Sequence, residues 1–504
     1  MSTFVRDNAV RFPDDIALED ADTGTTLTWS QFDARVDAVA AVLTERLGLR
    51  AGDRVAFLAG DTIDTFAVLF AGMRQGTVFV PLNRRLSIPE LETLCKDAEP
   101  AVLLHDEEWA ATATTLTEAA GVRREPLEPL LAAADGRSVE RGWAPMHAFG
   151  SDEPIMLLYT SGTTGLPKGA IISESMLGAQ LANVLDSMDV GGPGACHFSA
   201  LPLFHAAGIL ALTMPTLIRG GRVLVARRFD AAQAAAVLSD PARGVTHFSG
   251  APIMWQLIAE AAPPDASFAH LRAGQVGGGQ IPDDVYAYFE QRGLPLQVGW
   301  GATEMGPSTT MMPRGRPGAP ARSVGRMVPL CRLRVVADDG TDVEIGAVGE
   351  AWLSGPNISP GYWRKPVGED DTRVDGWYRC GDAVSVDVNG HVIFQGRYKD
   401  MYKSGGENVF AAEVEHILLA FPGIAEATVI GVPHRRWGEA GRALIVPQPG
   451  ETVDRDELVR YCRERLAGYK VPADVVFCTE LPRNVTGKVQ KIDLLRSYGT
   501  PIEA

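Results

Sequence analysis

The feature that most constrains the fold is an alternation of short buried-strand patterns with helix-period patterns that begins within the first hundred residues. Trp29–Leu47 carries apolar residues at helix spacing, Arg54–Leu58 reads as a buried strand, Thr62–Gln75 returns to helix spacing, and Thr77–Pro81 reads as a second strand. Strands apolar on both faces need cover on both faces, and intervening helices supply it. The rhythm recurs further along. Ser173–Met188, Ala206–Arg219, Asp230–Leu238 and Pro252–Glu260 read as helices, and His197–Leu201 and Arg222–Leu224 as strands. The expected class is α/β, with two largely parallel sheets in a large N-terminal domain of residues 1–396.

From about Ser323 the pattern changes to short strands broken by turns: Leu333–Val336, Gly349–Leu353, Val384–Val386 and His391–Phe394. They predict a β-rich subdomain over about 323–396. Beyond Gly396 follow a helix at Ala411–Leu419, strands at Ala427–Ile430 and Ala443–Val446, a helix at Asp454–Leu466 and a strand at Val475–Cys478. That is enough chain for a small α+β C-terminal domain over 400–504. The alanine-rich segments Ala111–Ala120 and Leu130–Asp135 read as surface helices.

Composition narrows the partners. The 504-residue chain carries a net charge of −16, which argues against nucleic acid or an anionic membrane surface as a general partner. Any polyanionic ligand must then be met by local positive charge or by metal. The six cysteines are scattered without a C-x-x-C pair, which disfavours structural zinc and a disulfide scaffold and fits a reducing, cytoplasmic setting. Met1–Phe12 has no apolar core of a secretory signal. Ala206–Ile218 is too short, and too interrupted by Thr213, Pro215 and Thr216, to span a bilayer.

The chemistry concentrates in five motifs. Tyr159–Gly169 reads YTSGTTGLPKG, with five hydroxyl residues, three glycines and Lys168 in eleven positions, directly after the apolar run Ile155–Leu158. Glycines let main-chain N–H groups approach an anion, hydroxyls add donors and the lysine adds a mobile charge, so the segment predicts a polyphosphate cradle. It is not the Walker A pattern, because the lysine comes last and follows a proline. The second motif is Gly277-Gly278-Gly279 followed by VGWGATEMG at Val298–Gly306, where glycines flank Trp300 and the turn ends in Thr303 and Glu304. A carboxylate beside a bound polyphosphate is where Mg²⁺ is held. The third, WYRCGD at Trp377–Asp382, reads as an aromatic-rich turn whose acid either caps the turn or accepts from ribose hydroxyls. The fourth, GRYKDMYKSGGENVF at Gly396–Phe410, falls on the expected domain boundary and serves as hinge, ligand contact or charged linker. The fifth, LPRNVTGKVQK at Leu481–Lys491, presents Lys488 on an expected hairpin.

In this order and spacing the motifs resemble those of the acyl-adenylate-forming superfamily: acyl-CoA synthetases, adenylation domains of nonribosomal peptide synthetases, and luciferases. The resemblance runs from FPDDIAL at Phe12–Leu18 through LPRNVTGK and is closest to stand-alone bacterial fatty-acyl and aryl-acyl CoA ligases. It implies that a carboxylic acid attacks the α-phosphate of ATP with Mg²⁺, giving acyl-AMP and pyrophosphate, and that the thiol of coenzyme A then displaces AMP. It further implies that Thr160, Ser161, Gly162, Thr163, Thr164, Gly165 and Lys168 hold the β- and γ-phosphates. Thr303 would touch the α-phosphate, Glu304 would ligate Mg²⁺, and Lys488 would bridge the reacting carboxylate and phosphate. Asp382 and Arg397 would bind the ribose, while Gly278, Gly279 and Trp300 would line the adenine site. His205, in PLFHAAG, would gate the acyl group or act as a base on the thiol.

By the same resemblance, residues 397–399 form a hinge centred on Lys399. The small C-terminal domain would turn on it, withdrawing Lys488 and bringing Gly405-Gly406 to a pantetheine tunnel. Cys380, Ala302 and Tyr398 depart from the family's more usual residues without removing a group the chemistry needs. His205, Ala206, Gly208, Trp255, Gly277, Gly301, Met305 and Met312 would line a roomy apolar pocket for a medium- or long-chain, aromatic or polycyclic acid; Arg314 and Arg316 leave a malonate-like acid open. Arg227, Arg228, Arg435 and Arg436 are candidate contacts for the CoA phosphates. The alternatives are an acyl-AMP ligase that loads a carrier-protein pantetheine, an enzyme of one half-reaction only, a nucleotide sensor and a luciferase-like oxygenase. The acyl-AMP ligases usually carry an insertion before the hinge, and neither that nor a fused carrier domain is expected here. A monomer or homodimer is expected.

Overall fold

The apolar runs of the first hundred residues become neighbouring strands. In the computed structural model, Arg54–Leu58 pairs in parallel with both Val78–Pro81 and Val102–His105, so the helix Ile63–Gln75 is the crossover between two of them. Thr62 starts this helix with a capping box and Gly76, at φ 80°, ends it; almost every residue between is buried. The structure describes residues 3–135, 146–161, 167–279, 281–315, 319–320, 323–337, 339–365, 372–397, 401–482, 489 and 491–502. They cluster into two compact units. One comprises Met1–Asn83, Cys95–Leu158 and Gly169–Gly396; the other comprises Arg84–Leu94, Tyr159–Lys168 and Arg397–Ala504.

Two sheets dominate the first unit. A six-stranded sheet runs in the order Arg124–Pro126, Val102–His105, Arg54–Leu58, Val78–Pro81, Pro154–Ser161, Pro167–Ser173. The second sheet has fourteen strands. Its parallel part places Ile16–Asp20, Arg222–Val225, Cys196–Ser199, His247–Gly250, Ala273–Val276 and Gln297–Ala302 side by side. At Gln297–Ala302 the sheet changes character: this strand is parallel to Ala273–Val276 on one side and antiparallel to Gly306–Met311 on the other. Ser323–Met327, His391–Arg397, Trp377–Val386, Gly349–Ser354 and Arg332–Val336 then continue it. The β-rich stretch expected as a subdomain therefore shares its hydrogen-bond ladder with the parallel sheet. The reason is the edge: Gln297–Ala302 would leave a row of backbone groups unpaired, and the hairpin that follows satisfies them.

Two local expectations change. Ala206–Arg219, read as one helix, is a π-turn at Ala207–Ala211 followed by a separate helix at Thr213–Ile218. Pro215 has no N–H to continue the first ladder but is tolerated in the first turn of a new helix, and Thr213 bonds back to the Gly208 carbonyl at 2.6 Å. WYRCGD is not a turn. It opens the ten-residue strand Trp377–Val386, which pairs with Gly349–Ser354.

In the second unit, Met401–Ser404 and Glu407–Phe410 form a hairpin, Ile424–His434 pairs antiparallel with Gly438–Pro447, and Asp474–Phe477 runs parallel to the latter. Helices Ala411–Leu419 and Arg455–Arg463 contribute Val414, Leu418 and Leu458 to a core shared with Tyr402, Val429 and Ile445. No helix among the described residues is long and apolar enough to cross a membrane.

Candidate active site

Loops that follow the carboxyl ends of parallel strands face a common crevice, and three expected site segments are such loops. His205 follows Cys196–Ser199, Gly278 and Gly279 follow Ala273–Val276, and Thr303 and Glu304 follow Gln297–Ala302. Thr303–Met305 is a single 3₁₀ turn between two antiparallel strands. The turn is tight enough that a Cβ on Gly301 would lie 2.3 Å from the Gly306 carbonyl oxygen.

Glu304 is held from several directions. The Tyr362 hydroxyl donates to Oε1 at 2.9 Å, and the Ser359 N–H donates to the Glu304 carbonyl at 2.8 Å. Asn357 Nδ2 donates to the next carbonyl, that of Met305, at 2.9 Å. Residues 359–363 are in turn laced to the strand that leaves the hydroxyl-rich loop: Trp363 N–H to Gly169 O at 2.7 Å, Ile171 N–H to Gly361 O at 3.0 Å, Ser359 Oγ to Ile171 O at 2.8 Å. Burial pushes the Tyr378 phenol well above its ordinary pKa, and nearby Glu304 and hydrogen-bonded Tyr362 push the same way. Tyr378 therefore stays protonated, and Tyr378, Tyr362 and Glu304 form a string of hydrogen-bonding groups.

Asp382 owes its direction to a break in strand register. Trp352 pairs with Arg379 but Glu350 pairs with Ala383, a bulge that contains Gly381 at φ 74°. The Asp382 side chain is buried, and Trp300 Nε1 donates to its Oδ2 at 2.9 Å. Trp300 is itself 7% exposed and packs among core residues with Met305 and Tyr378. Its indole N–H thus serves Asp382, a coupling that neither motif reveals by itself.

His205 is half-buried against the Phe204 ring, with its carbonyl accepting from Gly208 N–H at 3.0 Å and Ile209 N–H at 3.3 Å. Gly208 admits no side chain, since a Cβ would lie 2.2 Å from the Pro202 carbonyl oxygen. Gly278 takes φ 84°, and among the described residues a Cβ on Gly277 would meet nothing within 4 Å. Trp255, Met305 and Met312, expected around the acyl group, are buried core side chains. Trp255 packs on Phe248 and Phe289 with ring centroids 5.0 and 4.9 Å away. Arg227 is bound to Asp106 at 2.7 Å and Glu108 at 2.9 Å, which makes it an internal tie between chain segments. Arg314 donates to the Arg272 carbonyl at 3.1 Å.

The remaining expected residues belong to the second unit or lie outside the described residues. Thr160 and Ser161 end the strand Pro154–Ser161 and Lys168 lies at the start of Pro167–Ser173, whereas Gly162, Thr163, Thr164, Gly165, Arg316, Lys399 and Lys488 are outside the description. Arg397 ends the strand His391–Arg397. Gly405 and Gly406 turn a hairpin with φ of 59° and 85°, the double left-handed geometry of a two-residue loop. The turn rests on Trp437: Gly405 N–H donates to its carbonyl at 2.9 Å, and Arg436 lies 4.7 Å over its ring. The sequence-based reading missed Tyr362 and Asn357, and it passed over Tyr378 inside WYRCGD. The one available signal for Tyr362 was an aromatic residue directly after a glycine in SPGYW.

The family of AMP-binding enzymes matches residues 5–363, and the AMP-binding enzyme C-terminal domain matches residues 413–488. A feruloyl-CoA synthase of an Amycolatopsis species is 39% identical over 480 residues, covering 94% of this chain and 95% of the relative. An indoleacetate–CoA ligase of Aromatoleum aromaticum is 33% identical, covering 96% and 94%. The o-succinylbenzoate CoA synthetase of Bacillus subtilis, solved with a product analogue, superposes with a TM-score of 0.87 at 27% identity over 98% of each chain. The chain belongs to the AMP-binding enzymes of the acyl-adenylate-forming superfamily, with the large N-terminal and small C-terminal domain of that class. It is an AMP-forming acid–thiol ligase that acts as an acyl-CoA synthetase.

Proposed function

We propose that the protein activates an aromatic carboxylic acid with ATP and transfers the acyl group to coenzyme A. The observation that carries the site assignment is the fixed pair of carboxylates. Glu304 is oriented by Tyr362 and tied by backbone to the strand leaving the hydroxyl-rich loop, and Asp382 is oriented by Trp300. A carboxylate attacking ATP brings like charges together, so catalysis is chiefly positioning and charge neutralisation. Thr303 would bond the α-phosphate and Asp382 the ribose hydroxyls, with Arg397 as a second ribose contact. Lys168 and the hydroxyl-rich loop would hold the outer phosphates, and Lys488 the reacting oxygens.

No cluster of three or more His, Cys, Asp or Glu side chains that could hold a metal occurs among the described residues. Mg²⁺ needs only one or two protein carboxylates and takes its other ligands from phosphates and water. Glu304 is the residue that would hold it, and the ion would neutralise phosphate charge. The aromatic class is supported by the two relatives that act on feruloyl and indoleacetate groups, and by the lack of a side chain at Gly277, where a flat ring can lie against backbone.

The test is one incubation of the protein with MgATP, CoA and a panel of aliphatic, aromatic and dicarboxylic acids, with acyl-AMP and acyl-CoA read together by mass spectrometry. Aromatic acyl-CoA as the leading product is expected. A preference for aliphatic or dicarboxylic acids would refute the acid class, and acyl-AMP without acyl-CoA would refute CoA as acceptor.

A further inference from the structure

Within the second unit, the upstream segment Arg84–Leu94 is fastened by charge to residues that follow it by hundreds of positions. Glu90 lies in the first turn of the helix Ile88–Ala98, and its Oε1 accepts from Lys470 Nζ at 2.6 Å across 380 residues. Lys470 is 4% exposed and also donates to Glu413 Oε1 at 2.7 Å. Burial alone would lower the pKa of this ammonium, but Glu413 and Glu90 outweigh it and hold the group above its ordinary value, so Lys470 stays charged. Two further ties flank the pair. Arg85 donates to the buried Glu407 at 2.5 Å, and Ser87 Oγ lies 2.9 Å from the Arg465 carbonyl oxygen. Glu407 directly follows Gly405-Gly406, so Arg85 holds the strand that leaves that turn.

These ties divide by position in the chain. A turn of residues 401–482 as one body carries Lys470, Glu413, Glu407 and Arg465 together and leaves Arg85, Ser87 and Glu90 behind. Breaking a buried ion pair is ordinarily costly because it strands an uncompensated charge. Here each side keeps a partner. Lys470 retains Glu413, a balanced pair, and Glu90 retains the Ser87 N–H at 2.8 Å, with Ser87 Oγ also 2.8 Å from the same carboxylate oxygen. A carboxylate in a helix's first turn is further favoured by the helix dipole. The triad has one carboxylate more than Lys470 needs, so the contact can part and re-form without burying a bare charge. We infer that Glu90 is a positioning residue that acts through Lys470 to hold the C-terminal domain in its thiol-transfer arrangement. The inference rests on the acyl-CoA synthetase reading and on the expectation that Gly405-Gly406 serves the thiol, since Arg85 secures the strand leaving that turn.

The experiment measures the two half-reactions separately, with cinnamate as the probe acid, in the wild-type protein, Glu90→Gln and Arg85→Gln. One assay follows cinnamate-dependent ATP–pyrophosphate exchange; the other follows cinnamoyl-CoA formation from preformed cinnamoyl-AMP and CoA. Glu90→Gln keeps the shape of the side chain and removes its charge, so thiol transfer should slow by about tenfold while exchange stays the same or quickens. Arg85→Gln should show the same split. A structural staple would not separate the half-reactions, so equal slowing of both in the two variants would overturn the inference, as would no change in either. Wild-type protein that yields no cinnamoyl-CoA would overturn the reading as an aromatic acyl-CoA synthetase, and the inference with it.

Discussion

Acid should destabilise this protein through a pair of stacked histidines in the middle of its parallel sheet. His197 and His247 are register partners on neighbouring strands, with ring centroids 5.3 Å apart and planes 14° from parallel. They are 3% and 0% exposed. Thr216 and Thr246 hydroxyls lie 2.7 and 2.8 Å from the two ring nitrogens of His247, and His197 Nδ1 lies 3.4 Å from the His247 carbonyl oxygen. Burial lowers the His197 pKa from 6.5 to about 3. Burial also holds His247 well below its ordinary value, with repulsion from His197 and Arg272 acting the same way.

In the unfolded chain both rings protonate near pH 6.5, so below that pH the unfolded state binds more protons and the native state loses stability. The loss begins as pH falls through 6.5 and stops growing only below about 3, where native His197 is protonated too. For His197 alone the linkage gives about 2 kcal/mol lost between pH 7.5 and 5, approaching about 5 kcal/mol in full. Urea unfolding of the wild type and His197→Phe, measured at several pH values over that window, isolates the contribution. The variant should show a pH dependence shallower by about 2 kcal/mol, whatever its absolute stability. Parallel profiles would refute the reasoning, as would a native His197 imidazole that titrates near its ordinary value by NMR.

Three further outcomes follow from the site. Trp300→Phe removes the N–H that meets the buried Asp382 carboxylate, an interaction of about 1.5–3 kcal/mol, and should raise the KM for ATP by about tenfold or more; an unchanged KM for ATP would show that Asp382 needs no such partner. Tyr362→Phe frees Glu304 from its phenol donor and should slow acid-dependent ATP–pyrophosphate exchange by about tenfold, with a higher Mg²⁺ requirement. Equal exchange rates at every Mg²⁺ concentration would reject that positioning role. Gly208→Ala forces a Cβ to within 2.2 Å of the Pro202 carbonyl oxygen and should destabilise the first unit by about 1–3 kcal/mol. Identical thermal unfolding would show that the π-turn can shift at no cost.

Much of the architecture was legible because it depends on local pattern. Arg54–Leu58 and Thr62–Gln75 declare a strand and a helix through residues within one element, and the structure has Arg54–Leu58 and Ile63–Gln75. The failures came where a partner distant in sequence decides. Trp377–Asp382 has turn-like glycine and acid, yet pairing with Gly349–Ser354 makes it strand and confines the irregularity to a bulge at Gly381. Ala206–Arg219 has helical spacing throughout, and the hydroxyl of Thr213 together with Pro215 breaks it in two.

The sequence by itself determined the reaction class, through five motifs whose order and spacing resemble those of the acyl-adenylate-forming superfamily. The hydroxyls and glycines proposed for a polyphosphate, Glu304 proposed for a cation and Asp382 proposed for ribose are choices of residue type. Only the tertiary structure decided what orients them and what lies beyond them. Tyr362 reaches Glu304 across 58 residues, and Trp300 reaches Asp382 across 82. Gln180 packs against Gly306, and Gln275 bonds Ser308, only because a helix and two strands come together there. Orientation and burial arise from contacts between segments, and a hydrogen bond's strength depends on a distance that no local pattern encodes.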